Sequence, residues 1–495
     1  MKTVFPAEKV RNAAPSLICL LAIAVVAAGL VVTYFNWDFD DPFIVYRYAR
    51  NILAGNGWCY NPGEHYNAST SALNTMIIAV AALVNDDPRG AAHLLGGLWL
   101  CLAGICVFWI FTPRFNRYVA TLAAFFVVVS LGTNSTWGME TNLFIGLCLF
   151  FALLERNRNN SWYVLGFIVL ARPDGALLLT LKLLWTTLKE KKLPWRGLLQ
   201  STLVLLPWVA FSLFSFHQLL PATLGQKVWQ GQSGFWGAGN VYLPSLVAVV
   251  KGLSWWLVFP VLWGLATMAK EKSSLLYLVF FAIIQQAVYV FLNVPGYHWY
   301  PAVFVAVWKI TAAYGLCAAG AGLFAIFNRG GRWENFPLSV ATALALGVLV
   351  LAVGISVHLT SAPPVMDPRV RAYRTLAEYV DQTEPAGTLA ALEVGVVGYY
   401  SRRKILDIIG LTTKAGEFAT GRNNDRFFAI RPRIVVIHAM PSEKEAAIYK
   451  DGRFGLLYQL QGIIRSQNYA PVCYFGLKTH SDYGVFYQLQ GITAE

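Results

Sequence analysis

At 495 residues the chain has the length of about three soluble domains. Composition excludes that reading, because 56% of residues are hydrophobic and only 13% charged, against roughly 25% charged in a globular domain. Disorder is excluded as well. The 39 Lys and Arg exceed the 26 Asp and Glu to give +13, but they sit in short clusters between apolar runs, the pattern of cytoplasmic loops rather than of a nucleic-acid face.

A bilayer crossing needs about 20 apolar residues. Such stretches are predicted at 16–35, 91–111, 118–133, 140–154, 198–217, 252–269, 275–292, 301–323 and 338–358, with shorter apolar segments at 71–84, 162–171 and 175–188. The expected fold is a polytopic α-helical membrane protein of about 9–12 apolar segments, re-entrant ones included. Lys2, Lys9 and Arg11 precede the first stretch as in a signal peptide, yet it is long and runs straight into a structured-looking loop. An uncleaved helix with a cytoplasmic N-terminus is expected.

If 71–84 enters the membrane part-way and returns, Arg114, Arg117, Arg156, Arg158, the cluster 189–196, Lys270, Lys272, Arg329 and Arg332 all face the cytoplasm. The segments 162–171 and 175–188 then form a hairpin with Arg172-Pro173-Asp174-Gly175 at its tip. The outer side receives the loop 36–70, the stretches 134–140, 220–227 and 296–300, and the C-terminal tail. Polar backbone at membrane depth persists only when buried in protein or lining a cavity, so these loops are expected to enclose one cavity.

The charge density changes near residue 358. Residues 361–495 hold 29 of the 65 charged residues, about one in five, against about one in ten before. The chain is therefore divided into a membrane domain, 1–358, and a soluble extracytoplasmic domain, 359–495. In the tail, 369–383 has helical periodicity and 388–392, 404–408 and 434–438 read as short strands, an α/β pattern. Five of the seven Cys lie in apolar runs; Cys59 and Cys473 both lie outside and could pair, which sequence does not establish. There is no CxxC or HExxH, so a structural zinc site is not expected.

Several residues could carry chemistry. Asp38, Asp40 and Asp41 follow the first span; crowding and partial burial raise a carboxylate pKa, which suits a general base, while a solvated helix start is the plain alternative. Arg47 lies about two turns beyond Asp40, placed to grip a phosphate or to pair with the acidic cluster. The turn Asn61-Pro62-Gly63 presents Glu64. Glu140, at a helix start, is a costly carboxylate at membrane depth. Arg172 and Asp174 flank Pro173 and suit a salt bridge. Lys227 follows Leu220-Pro221-Ala222-Thr223 at an interface, and His298, Trp299 and Tyr300 mark a further outward boundary, as an interface belt or a sugar platform.

Together these pieces resemble the GT-C superfamily of membrane glycosyltransferases that use polyprenyl-phosphate-linked sugars. The resemblance rests on Asp40-Asp41-Pro42-Phe43-Ile44-Val45-Tyr46-Arg47, Gly55-Asn56-Gly57, Tyr60-Asn61-Pro62-Gly63-Glu64, Gly138-Met139-Glu140-Thr141, Ala171-Arg172-Pro173-Asp174-Gly175 and Leu220-Pro221-Ala222-Thr223 with Lys227. In the tail it continues through Glu393-Val394-Gly395, Gly398-Tyr399-Tyr400 and Leu406-Asp407-Ile408-Ile409-Gly410-Leu411. The subgroup it looks most like is that of the terminal β-(1→2)-arabinofuranosyltransferases. The resemblance implies an inverting transfer of D-arabinofuranose from a polyprenyl-phosphate donor to an extracytoplasmic glycan or glycoprotein, in a bacterial inner membrane.

By that logic Asp40 or Asp41 is the base, with Asp40 preferred. Arg47, Lys227 and Arg172 contact the donor phosphate, and Glu64, Glu140, Asp174, His298 and Tyr300 contact the sugars. No cofactor is essential; a divalent cation held by acidic residues could share the work of the cations. A mannosyl or glucosyl transferase is the alternative within the superfamily. Outside it stand a transporter, which internal repeats would mark, and a non-catalytic lipid-glycan binding protein.

Overall fold

The computed structural model describes residues 7–133, 136–157, 160–232, 238–253, 255–327, 368–383, 387–412, 432, 434–438, 469–476 and 483–489. The predicted span at 338–358 lies outside the described residues. The fold is a bundle of apolar helices carrying a small mixed α/β unit.

Helix α1 (Ala7–Tyr34) leads through a short turn into α2 (Pro42–Leu53), where Pro42 opens the helix with a preset φ and Asp41 stands at the cap position. Next come α3 (Ala72–Ala82) and α4 (Pro88–Gly132). The 45 residues of α4 amount to about 68 Å at 1.5 Å per residue, more than twice a hydrocarbon core of about 30 Å. It therefore serves as two crossings, broken at Asn116 (φ 63°, ψ 167°), between the basic residues Arg114 and Arg117. That break separates the spans predicted at 91–111 and 118–133. Helix α3, with 11 residues, reaches only about 16 Å, roughly half a crossing.

Helices α5 (Thr141–Arg156), α6 (Trp162–Ala171) and α7 (Ala176–Glu190) follow, the last two joined by the 3-10 turn Pro173–Gly175. Pro173 forces this break, since its ring cannot continue α6. Then come α8 (Trp195–Phe216), α9 (Ala222–Gln232), α10 (Tyr242–Gly252), α11 (Val258–Glu271), α12 (Leu276–Leu292) and α13 (Ala302–Phe327). Among the described residues, four helices are long and apolar enough to cross a membrane, and a fifth candidate arises if the bent pair Tyr242–Gly252 and Trp255–Glu271 counts as one. The chain is an integral membrane protein.

The tail contributes α14 (Pro368–Thr383), β1 (Leu389–Ala391), α15 (Gly395–Tyr400), β2 (Ile405–Asp407), β3 (Ile434–His438), β4 (Tyr469–Gly476) and β5 (Tyr483–Leu489). The sheet order is β2-β1-β3-β5-β4. Strands β2, β1 and β3 are parallel, while β5 runs antiparallel to β3 and β4. Strands β4 and β5 were not expected from the sequence.

Two apolar cores organise the molecule. The larger one joins α1, α4, α5, α6, α12 and α13 around residues such as Ile23, Phe108, Phe126, Phe144 and Phe281. The second joins α2 to the tail: Phe43 and Tyr46 pack with Val396, Val397 and Tyr399. Phe43 and Val396 are fully buried, and each such side chain stabilises by about 1.5–3 kcal/mol. The tail thus shares its core with the first loop. Cys59 is a buried free thiol; the side chain of Cys473 lies outside what is described.

Candidate active site

A cavity of about 140 Å³ lies where the first loop, the hairpin tip, α9 and the tail meet. Its charged lining residues are Asp41, Glu140, Arg172, Asp174 and Lys227, with Tyr300 among its aromatic ones. Six of the ten residues singled out in the sequence converge here. Asp40, Arg47, Glu64 and His298 are not among the lining residues.

The hairpin tip forms a bonded unit. Arg172 donates from Nε to Asp174 Oδ1 at 3.2 Å and from Nη2 to Oδ2 at 2.9 Å. Gln285 Nε2 donates to Asp174 Oδ2 at 2.7 Å, Tyr289 O–H donates to the same oxygen, and Arg172 Nη2 also donates to Tyr289 at 2.9 Å. The salt bridge expected across Pro173 is present. Arg172 is only 4% exposed, and its Nη1 is buried with no protein partner. A buried guanidinium with an unused donor beside a cavity is suited to an anionic oxygen. Sequence reading missed Gln285 and Tyr289; the polar Gln285-Gln286 pair inside the otherwise apolar α12 was the available signal.

Lys227 comes from α9 and is buried. Its Nζ lies 3.9 Å from the Tyr297 ring centroid and 5.7 Å from that of Trp299, and these two rings stack at 4.5 Å. Ring quadrupoles stabilise the ammonium, yet burial lowers its pKa, opposed by the negative charges of Asp41 and Asp407. Glu140 caps α5 and is 5% exposed; burial raises its pKa, opposed by Arg172.

The three loop aspartates have separate places. Asp38 is buried and holds Arg89 at 2.8 Å and His93 at 3.2 Å, fixing the loop on α4. Asp40 turns to the tail, where its two oxygens accept the N–H groups of Gly395 at 2.9 Å and Val396 at 2.7 Å. Burial and the neighbouring Glu393 push its pKa up to about 8, against the pull of those N–H groups. Asp41 lines the cavity. Of the two expected bases, Asp40 thus joins two parts of the chain through two backbone donors on the tail, and Asp41 is the one that lines the cavity.

Arg47 also departs from expectation. Its guanidinium donates to the carbonyls of Tyr60 at 2.7 Å, Arg403 at 2.9 Å and Gly398, and to Asn61 Oδ1 at 3.1 Å. Gly398 is required there, because a Cβ would collide with Tyr60 Oη and crowd Arg47. Asn61 in turn bonds both backbone groups of Ile405, at 2.8 and 3.0 Å, as a neighbouring strand would at the exposed edge of β2. Glu64 pairs with Lys404 at 2.6 Å. His298 is exposed and rests against Phe39, with ring centroids 5.5 Å apart. Arg47 and Glu64 therefore fasten the tail to the first loop. Replacing Arg47 by Met removes the donor to the Gly398 and Arg403 carbonyls, while Tyr60 O keeps Asn51 at 3.0 Å, at about 1–3 kcal/mol for each buried group left unpaired. The expected outcome is a lower melting temperature and faster proteolysis of the tail, with donor affinity of the folded fraction unchanged.

The Asp174 oxygens are taken up by Arg172, Gln285 and Tyr289, while Asp41 and Glu140 also line the cavity. The positive charge beside the cavity comes from Arg172 and Lys227.

A family model described as a domain of unknown function (DUF8728) matches residues 366–486, within the tail. The chain is 28% identical over 238 residues to a terminal β-(1→2)-arabinofuranosyltransferase of Mycobacterium tuberculosis, a match covering 42% of this chain and 38% of that relative's length. The crystal structure of apo ArnT from Cupriavidus metallidurans superposes with a TM-score of 0.58 at 13% identity, covering 96% of this chain and 98% of that one. ArnT bound to undecaprenyl phosphate gives a TM-score of 0.54 at 14% identity, covering 95% and 97%. The chain shares the fold of ArnT, in agreement with the polytopic GT-C-like fold expected from the sequence.

Proposed function

We propose that this chain is an inverting glycosyltransferase that moves a sugar from a polyprenyl-phosphate donor to an extracytoplasmic glycan or glycoprotein, with D-arabinofuranose as the sugar. The observation that carries the reading is the cavity itself, which the carboxylate of Asp41 lines together with two buried cations, Arg172 and Lys227. A sugar-lipid phosphate needs both: a base for the incoming hydroxyl and positive charge for the departing phosphate. The undecaprenyl phosphate bound by ArnT and the arabinofuranosyl activity in the name of the mycobacterial relative support the donor class.

In this mechanism Asp41 takes the proton of the acceptor hydroxyl as its oxygen attacks the anomeric carbon. The bond from that carbon to the phosphate oxygen breaks with inversion, and its electron pair leaves with polyprenyl phosphate. Arg172, through Nη1, and Lys227 stabilise the growing negative charge. Asp174, Gln285 and Tyr289 hold the guanidinium in place, since a rotating cation would lose the advantage of preorganisation. Glu140 and Tyr300 read sugar hydroxyls. The chain sits in a bacterial inner membrane with its tail outside the cytoplasm.

The test is a donor panel of polyprenyl-phosphate arabinofuranose, mannose and glucose at equal concentration. Arabinofuranose is expected to give a kcat/KM at least about 10²-fold higher than either hexose, because a polar pocket left unpaired by the wrong sugar discriminates strongly. A hexose preference would overturn the choice of sugar and leave the lipid-phosphate mechanism in place.

A further inference from the structure

We infer that the tail turn at 407–412 forms the acceptor-side wall of the cavity, with Leu411 as a specificity-determining residue and Asp407 as the residue that positions it. The inference rests on the glycosyltransferase reading and gives a role to the part of the chain matched only by a domain of unknown function.

The turn is built around one carboxylate. Asp407 ends β2 and is 0% exposed. Its Oδ1 accepts the N–H groups of Ile409 at 2.8 Å and Gly410 at 3.1 Å, and its Oδ2 accepts the Thr412 N–H at 2.8 Å and hydroxyl at 3.2 Å. Gly410 has φ +84°, a conformation that a residue with a side chain enters only at a cost. On both sides of Leu411 the backbone is therefore tied to Asp407.

Leu411 itself is left to line the cavity, and it is the tail residue that does so among the described residues. Tyr66 O–H donates to the Gly410 carbonyl at 3.4 Å, which joins the turn to the loop whose residues Ala68, Ser69 and Thr70 also line the cavity. Asp407 contributes charge as well, since its negative field opposes the loss of the Lys227 proton.

Position decides which substrate meets this wall. The cations for the donor phosphate come from the hairpin tip and α9, among the membrane helices. Among the described residues, the tail contributes Leu411 and no cation to the cavity lining. Its described bonds go instead to the first loop and α2, through Asp40, Arg47, Tyr60 and Asn61. The tail is thus bonded to the segment that carries Asp41, and the inference puts the acceptor on this side of the cavity and the donor phosphate at the helix-borne cations. An apolar branched side chain in a cavity of about 140 Å³ limits the size of acceptor that can reach the base.

The experiment uses the full chain in nanodiscs, with polyprenyl-phosphate arabinofuranose as donor and arabinofuranoside acceptors of one, two and four sugars. Leu411→Trp is expected to raise the acceptor KM by about tenfold or more, with donor KM within about twofold of the unaltered chain. Leu411→Ala should flatten the KM differences among the acceptors. Asp407→Asn should raise acceptor KM more than it lowers kcat, a split that general loss of folded protein would not produce. If Leu411→Trp does not fold, the Ala variant decides. Acceptor KM values unchanged in the Leu411 variants, or a change confined to donor KM, overturn the inference and leave the glycosyltransferase reading intact. Absence of transfer by the unaltered chain to every acceptor overturns both.

Discussion

Asp41→Asn is expected to lower sugar transfer by roughly 10²–10⁴-fold, the usual loss when a positioned general base is removed, with the melting temperature close to that of the unaltered chain. The substitution keeps size and removes basicity at a position that lines the cavity. Asp40→Asn should behave differently. Asn keeps one carbonyl oxygen for the two N–H groups that Asp40 serves on α15, so the effect falls on the attachment of the tail. Turnover per folded molecule should remain within about tenfold. Steady-state kinetics beside thermal melts separate the two; near-normal kcat for Asp41→Asn with a collapse for Asp40→Asn would return the role of base to Asp40.

The second large effect is expected at the cations. Lys227→Met should cost roughly 10²–10³ in kcat, the range seen when one stabiliser of transition-state charge is lost. Arg172 calls for a gentler change, because its outright removal leaves the half-buried Asp174 charge without its ionic partner, held by Gln285 and Tyr289 alone. Arg172→Lys preserves the charge beside Asp174 but removes the planar fork that carries Nη1. Donor KM should rise in both variants while acceptor KM stays nearly constant. Lys227 also gives the reaction an alkaline limit. Burial lowers its pKa, so the charged form, and with it donor binding, is present at low pH and lost as pH rises through a value below the ordinary lysine range. Lys227→Arg should remove that limb from the pH profile of donor KM.

Much of this architecture was legible in the sequence because its signals were local. An apolar run interrupted by Arg172-Pro173-Asp174-Gly175 marked a hairpin tip, and the structure puts that turn at the cavity. Lys227 and Glu140 stood out as charges at outward boundaries. Asp40 and Arg47 could not be read the same way, because their partners Gly395, Val396, Gly398 and Arg403 lie some 350 residues away. A charge next to its candidate ligand and a charge bonded to a distant carbonyl have the same local sequence. The tail's first helix and strands showed in their periodicity, whereas β4 and β5 pair with each other and with β3 and left no pattern that was recognised.

The most direct measurement follows both products of one turnover in proteoliposomes loaded with labelled polyprenyl-phosphate D-arabinofuranose and a glycan acceptor. The account expects one polyprenyl phosphate released for each sugar transferred, with the new glycosidic bond of inverted anomeric configuration. Movement of the labelled lipid across the bilayer with no glycosidic product would contradict it and point to transport, and a product of retained configuration would contradict direct attack by the acceptor.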